Sequence, residues 1–135
     1  MQLIQWTQEL SVSIEEFDRQ HKKLVNLMNL LHNSMNKGEN RDVLKNFLNE
    51  LADYTVYHFK SEEKLLQEHM FPLYAIHKKE HDELTKQIFA IKTSFEQGNT
   101  SLTVEFMDFL KNWLNKHILQ VDKKYCDFLN SKGVH

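Results

Sequence analysis

The sequence predicts an all-α protein, an antiparallel up-down-up-down four-helix bundle with an N-terminal arm and a short C-terminal helix. Apolar residues recur at alternating spacings of three and four along four separate stretches. One proline and three glycines in 135 residues leave few places where a helix must stop. The segments between the stretches are short, which forces successive helices to lie side by side and antiparallel.

The first stretch opens at Ser13, followed by Glu16 in a capping-box pattern, and carries Ile14, Phe17, His21, Leu24, Met28, Leu31 and Met35. It ends near Lys37-Gly38, where glycine suits a left-handed cap. The second carries Leu44, Phe47, Leu51, Thr55, His58, Glu62, Leu65 and His69, with Asn40 as N-cap and Met70-Phe71-Pro72 closing it. Pro72 is expected in the first turn of the third helix, whose stripe is Leu73, His77, His81, Leu84, Ile88, Ile91 and Phe95 before Gly98-Asn99. The fourth stripe is Leu102, Phe106, Phe109, Trp113 and His117, capped by Thr100 or Ser101. An arm bearing Trp6 precedes the bundle, and a short helix through Tyr125, Phe128 and Leu129 follows it.

Length and composition fit one domain, residues 1–135, with 41% hydrophobic and 27% charged residues. A net charge of −2 supplies no electrostatic footprint for nucleic acid or an anionic membrane surface. No signal segment or membrane-length apolar run is visible, and the single cysteine, Cys126, cannot form an internal disulfide. These features point to a cytoplasmic protein.

The informative residues are polar ones in the apolar seam. His21, His58, His77, His81, His117 and Glu62 stand where the pattern calls for hydrophobic side chains. A single histidine on an apolar face is most often a hydrogen-bonded core residue, but five with a glutamate, shared by all four helices, require a common partner. Four residues advance a helix by about 400°, so His58 with Glu62, and His77 with His81, each grip one object from adjacent turns. Asp122 lies five residues past His117, about 140° off the seam of a straight helix, so it reaches the centre only if the helix breaks or tightens around Leu119-Gln120-Val121. His32 lies beside the seam, His69 is displaced along its helix by about 10 Å, and His135 is terminal; none is expected at the site.

Seven such ligands exceed one tetrahedral zinc, so two ions are implied. Imidazole suits iron, copper, nickel and zinc, and the absence of thiolate ligands argues against soft metals.

The segments Asp18-Arg19-Gln20-His21-Lys22-Lys23-Leu24, His58-Phe59-Lys60-Ser61-Glu62-Glu63, His77-Lys78-Lys79-Glu80-His81 and Trp113-Leu114-Asn115-Lys116-His117-Ile118, the last ending at Asp122, together resemble the hemerythrin family, specifically its stand-alone bacterial members. The resemblance runs from Trp6 through Tyr125. It implies two non-haem irons joined by an oxo or hydroxo bridge, one held by His77, His81 and His117, the other by His21 and His58, with Glu62 and Asp122 bridging. That ligand count falls one short of two octahedra. The family implies that dioxygen binds reversibly at this vacancy, on the two-histidine iron, as in an oxygen carrier or storage protein. Phe59, Trp113 and Leu114 are the candidates for a dry wall around it, Leu114 being similar in position to a family leucine that lines the oxygen pocket.

The rival expectation is a di-iron enzyme acting on dioxygen, peroxide or nitric oxide, or a sensor whose iron state a partner protein reads. The chain contains no Glu-x-x-His, the paired motif of ferritin-like di-iron enzymes, which favours binding over catalysis. A monomer is expected, with dioxygen as ligand and a protein recipient of the oxygen as the possible partner.

Overall fold

A computed structural model describes residues 3–99 and 101–135. A short 3₁₀ turn, Gln8–Leu10, precedes α1 (Glu15–Asn36), α2 (Arg41–Glu68), α3 (Tyr74–Glu96) and α4 (Val104–Lys116). A π-helical segment, His117–Asp122, then leads without interruption into α5 (Lys123–Ser131). The described residues contain no strand. Helix α2 packs between α1 and α3, and α4 lies beside α1, giving the up-down-up-down bundle.

The core is one continuous cluster that includes Phe17, Leu24, Met28, Leu31, Leu51, Leu84, Ile88, Met107, Leu110 and Leu114. Most of the seam positions point into it. The stripe on α4 sits differently: Met107, Leu110, Leu114 and His117 are buried, whereas Phe106, Phe109 and Trp113 are half-buried on its flanks. The buried set has spacings of three, four and three, the truer helical period, and the larger rings cover its edges. On α2, Leu48 and Leu66 are buried, while Leu44, Phe47 and Leu65 are half-buried.

Helix ends follow local chemistry. The Asn40 side chain accepts from the Val43 amide at 3.0 Å, as an N-cap should. Gly38 and Gly98 adopt φ of 69° and 76° just beyond α1 and α3, where a Cβ would be strained. The capping box at Ser13 and Glu16 does not form. Ser13 has φ of 56°, outside the extended region an N-cap needs, and α1 begins after Ile14. Asp18 instead accepts from Ser11 Oγ at 2.5 Å and from the Val12 amide at 2.8 Å, tying the arm to the helix start. Asn29 secures the arm farther along, pairing both ways with the Ile4 backbone at 2.9 and 2.8 Å.

Pro72 lies outside α3. It takes the second position of a turn closed by the Tyr74 amide on the Phe71 carbonyl at 3.1 Å, where its fixed φ is favoured. The cap of α4 is Thr103, whose hydroxyl accepts from the Phe106 amide at 3.1 Å, rather than Ser101; Thr100 lies outside the described residues. Leu102 packs against the core, so the chain stays extended one residue beyond it. Among the described residues, no helix is long and apolar enough to cross a membrane.

Candidate metal centre

Each helix brings its polar seam residues to one level of the bundle. His21 comes from α1, His58 and Glu62 from α2, His77 and His81 from α3, and His117 and Asp122 from the two ends of the π-helical segment that follows α4. All five imidazoles and both carboxylates are buried, none more than 3% exposed.

The departure of the last long helix from α geometry explains Asp122. Between His117 and Asp122 the chain is π-helical, so hydrogen bonds close over five residues and a five-residue step stacks on one face. The helix therefore widens at this point, in place of the predicted break or tightening. Asp122 comes to lie over His117, with its Oδ1 2.9 Å from His117 Nε2.

The two carboxylates divide the five imidazoles the same way. Glu62 Oε2 lies 3.2 Å from His21 Nε2 and 3.4 Å from His58 Nε2. Its other oxygen, Oε1, lies 3.5 Å from His77 Nε2 and 3.3 Å from His81 Nε2. Asp122 Oδ2 lies 3.2 Å from His21 Nε2, while Oδ1 lies 3.1 Å from His77 Nε2 and 2.9 Å from His117 Nε2. Two overlapping groups result, with ligand atoms within 4.8 Å of one another: Glu62, His77, His81, His117 and Asp122; and His21, His58 and Glu62.

These donors suit a cation better than one another. Among the described residues every ion-pair partner of Glu62 and Asp122 is a histidine, so two fully buried carboxylates sit without lysine or arginine. Among the described residues, His21 Nε2 and both Asp122 oxygens have no partner in hydrogen-bonding geometry. His81 Nε2 and His117 Nε2 face each other at 3.0 Å, two ring nitrogens converging on one space. Uncompensated burial of such charges costs several kcal/mol per ion, which a bound cation offsets.

Without metal the site redistributes protons. Burial alone would lower the His21 and His77 imidazoles, but the Asp122 and Glu62 carboxylates outweigh it and raise them to about 9 and about 10. Burial holds His58 down at about 3. Burial would raise Glu62 and Asp122, yet the surrounding imidazoles keep both well below the ordinary carboxylate range.

A second layer touches the imidazoles from behind. Gln20 Oε1 lies 2.6 Å from His58 Nδ1, and Glu63 Oε2 lies 2.9 Å from His81 Nδ1. The Tyr125 hydroxyl donates to Glu62 Oε2 at 2.6 Å. Phe59 stacks on His81 with ring centres 3.8 Å apart and also stands 5.8 Å from His58; Trp113 stacks on His117 at 4.4 Å. Leu114, one turn before His117, is buried.

All seven residues picked out as ligands from the sequence converge here. His69 caps the C-terminus of α2, His32 is half-buried in α1, and His135 is exposed; none joins the cluster. Sequence reasoning missed the polar partners Gln20, Glu63 and Tyr125. Gln20 had a visible signal, since it keeps the three-four spacing with Leu24, Leu27 and Leu31 on the buried face of α1. Tyr125 was legible only as an apolar residue of the last helix.

Residues 12–129 match the hemerythrin HHE cation binding domain. A bacteriohemerythrin of Methylococcus capsulatus is 36% identical over 97% of this chain and all of its own length. One from Stenotrophomonas maltophilia is 31% identical over 94% of this chain and 82% of its own. The crystal structure of a wild-type hemerythrin superposes with a TM-score of 0.89 at 35% identity, covering 93% of this chain and 96% of that one. With the fold, the cluster and these likenesses in agreement, the chain belongs to the hemerythrin family.

Proposed function

We propose that the chain holds two iron ions in the seven-residue cluster and binds dioxygen reversibly, as a carrier or store. The observation that carries this reading is the shared division of Glu62 and Asp122, each turning one oxygen toward His21 and the other toward the His77 side. Two bridging carboxylates between two ions would be arranged in this way. His77, His81 and His117 then hold one iron, and His21 and His58 the other.

Bound iron supplies the electrons and the open coordination position that dioxygen needs. The chain's own residues supply the rest. Neutral imidazoles bind through Nε2, and Glu62 and Asp122 offset the positive charge inside a dry core. The Tyr125 proton is committed to Glu62, so the phenol does not offer it to the cavity. Phe59, Trp113 and Leu114 exclude water: Phe59 covers both histidine groups, Trp113 shields His117, and Leu114 fills the space one turn below. The faces these side chains turn to the imidazoles are apolar, which favours release over chemistry.

The test is anaerobic loading with ferrous iron, then air, then vacuum. The expected result is two irons per chain and a colour that appears with oxygen, disappears under vacuum and returns in full. Irreversible oxidation on first exposure, or turnover of peroxide or nitric oxide at a comparable rate, would replace the carrier reading with an enzymatic one.

A further inference from the structure

The imidazoles are backed unequally. Behind the three-histidine group stand two carboxylates: Glu63 Oε2 lies 2.9 Å from His81 Nδ1, and Glu80 Oε1 lies 3.6 Å from His117 Nδ1. Glu63 is 15% exposed at its side chain, and its other oxygen lies 3.9 Å from Lys78 Nζ, which Asp82 also holds at 3.0 Å. Behind the two-histidine group stands a neutral amide. Gln20 is 2% exposed, its Oε1 is 2.6 Å from His58 Nδ1, and its Nε2 donates to Glu16 Oε1 at 2.9 Å. That second bond fixes the amide orientation, so Gln20 presents only its oxygen to His58. The Nδ1 atoms of His21, His77 and His117 have no hydrogen-bond partner among the described residues, so Glu63 on His81 and Gln20 on His58 are the directly bonded acceptors that set the two groups apart.

A carboxylate behind an imidazole and an amide behind an imidazole do different things. Both accept the Nδ1 proton and so leave the Nε2 lone pair free for a metal. Only the carboxylate adds negative charge, which makes the ring a stronger donor and stabilises the charge of the ion it holds. Resting on the dinuclear reading above, we propose that Glu63 is a positioning residue which makes the His77, His81 and His117 position the tighter of two unequal metal positions, while Gln20 keeps the His21 and His58 position the weaker. The inequality resides in the second layer as well as in the number of histidines, so exchanging acid and amide tunes each position separately.

The experiment uses the full-length chain and Co²⁺, whose visible bands report each ion as it binds. Wild type, Glu63→Gln and Gln20→Glu combined with Glu16→Gln are loaded anaerobically, mixed with excess chelator, and followed to complete release, with unfolding curves of the metal-free chains checking the fold. Wild type should bind two equivalents and release them in two resolved phases. Glu63→Gln, which keeps the hydrogen bond and loses the charge, should speed the slow phase about 10- to 100-fold and leave the fast phase within about twofold. Gln20→Glu, made together with Glu16→Gln so that the new carboxylate meets an amide donor in place of a second carboxylate, should slow the fast phase alone by about tenfold or more. A single release phase in wild type, an unaltered slow phase in Glu63→Gln, or equal acceleration of both phases would overturn the inference while leaving the dinuclear reading intact. Binding of fewer than two equivalents by wild type would overturn the dinuclear reading, and this inference with it.

Discussion

The Tyr125 hydroxyl and Glu62 Oε2 are 2.6 Å apart, and both residues are fully buried. Oε2 is also the oxygen that faces His21 and His58, so the phenol reaches the cluster from the side with fewer imidazoles. Burial first, and then the charges of Glu62 and Asp122, push the phenol well above its ordinary range, so it stays a donor at neutral pH. The bond spans α2 and α5 and ties the terminal helix to the site.

Tyr125→Phe removes that donor and leaves a buried carboxylate oxygen short of one partner. The expected loss is about 1–3 kcal/mol, because a charged acceptor is left underserved and the ring's shape is retained. Urea unfolding of the metal-free variant measures it. A midpoint equal to that of wild type would mean that the bond merely replaces one with water.

The metal-free chain should have a stability maximum close to neutrality. His21 and His77 titrate near 9 and 10 when folded and near 6.5 when unfolded, so their contribution is full below about pH 6.5 and is lost as pH rises through 9 to 10. His58, held at about 3 by burial, acts in the opposite sense, and stability falls as pH drops below about 6.5. Glu62 and Asp122 steepen that acid limb once pH passes below the ordinary carboxylate range. Metal competes with protons for the imidazoles, so the loaded chain should keep its alkaline stability and shed its ions on acidification. Thermal unfolding of both forms between pH 5 and 10 gives the comparison; a metal-free midpoint that stays flat from pH 7 to 10 would contradict the proton distribution derived above.

Leu114→Ala opens space one turn from His117 in a part of the core that is only 3% exposed. Loss of transfer energy plus the cavity should cost about 2–5 kcal/mol. The same space admits water toward the cluster, so autoxidation of the oxygenated protein should speed up while iron per chain stays at the wild-type value. Colour loss in air, measured alongside iron content, separates the two effects. Autoxidation at the wild-type rate would remove Leu114 from the wall.

The fold and six of the seven converging residues were legible because both depend on periodicity. A histidine in a three-four repeat declares its face as surely as a leucine does, and His21, His58, His77 and His81 all lie buried where the repeat puts them. What the repeat does not encode is chemistry set by a neighbour's side chain. Ser13 looked like a cap until Asp18 took the amide of Val12. Thr103 outranked Ser101 because Leu102 had first to pack. Glu63, exposed by periodicity alone, is committed to His81 by the approach of α3 to α2.

Asp122 lies between these cases, since its offset from His117 required a departure from α geometry without stating the form. The observed form, a π segment over His117–Asp122, behaves like one extra residue accommodated in a continuous helix. This makes a prediction that distinguishes a widened turn from a break. Deleting the exposed Gln120 shortens the step from five residues to four, and an ordinary α turn again places the aspartate over His117. The deletion variant should therefore keep two metal equivalents and lose no more than about 1 kcal/mol of stability, within the range of surface changes that leave packing intact. Inserting one alanine after Gln120 should instead turn the carboxylate by about 100° in a helical segment, carry it off the shared face and reduce metal binding below two equivalents. Metal content and helical circular dichroism of the two variants decide the matter. If deletion abolished binding as completely as insertion, the wide turn itself, and not the stacking of Asp122 on His117, would be what the site requires.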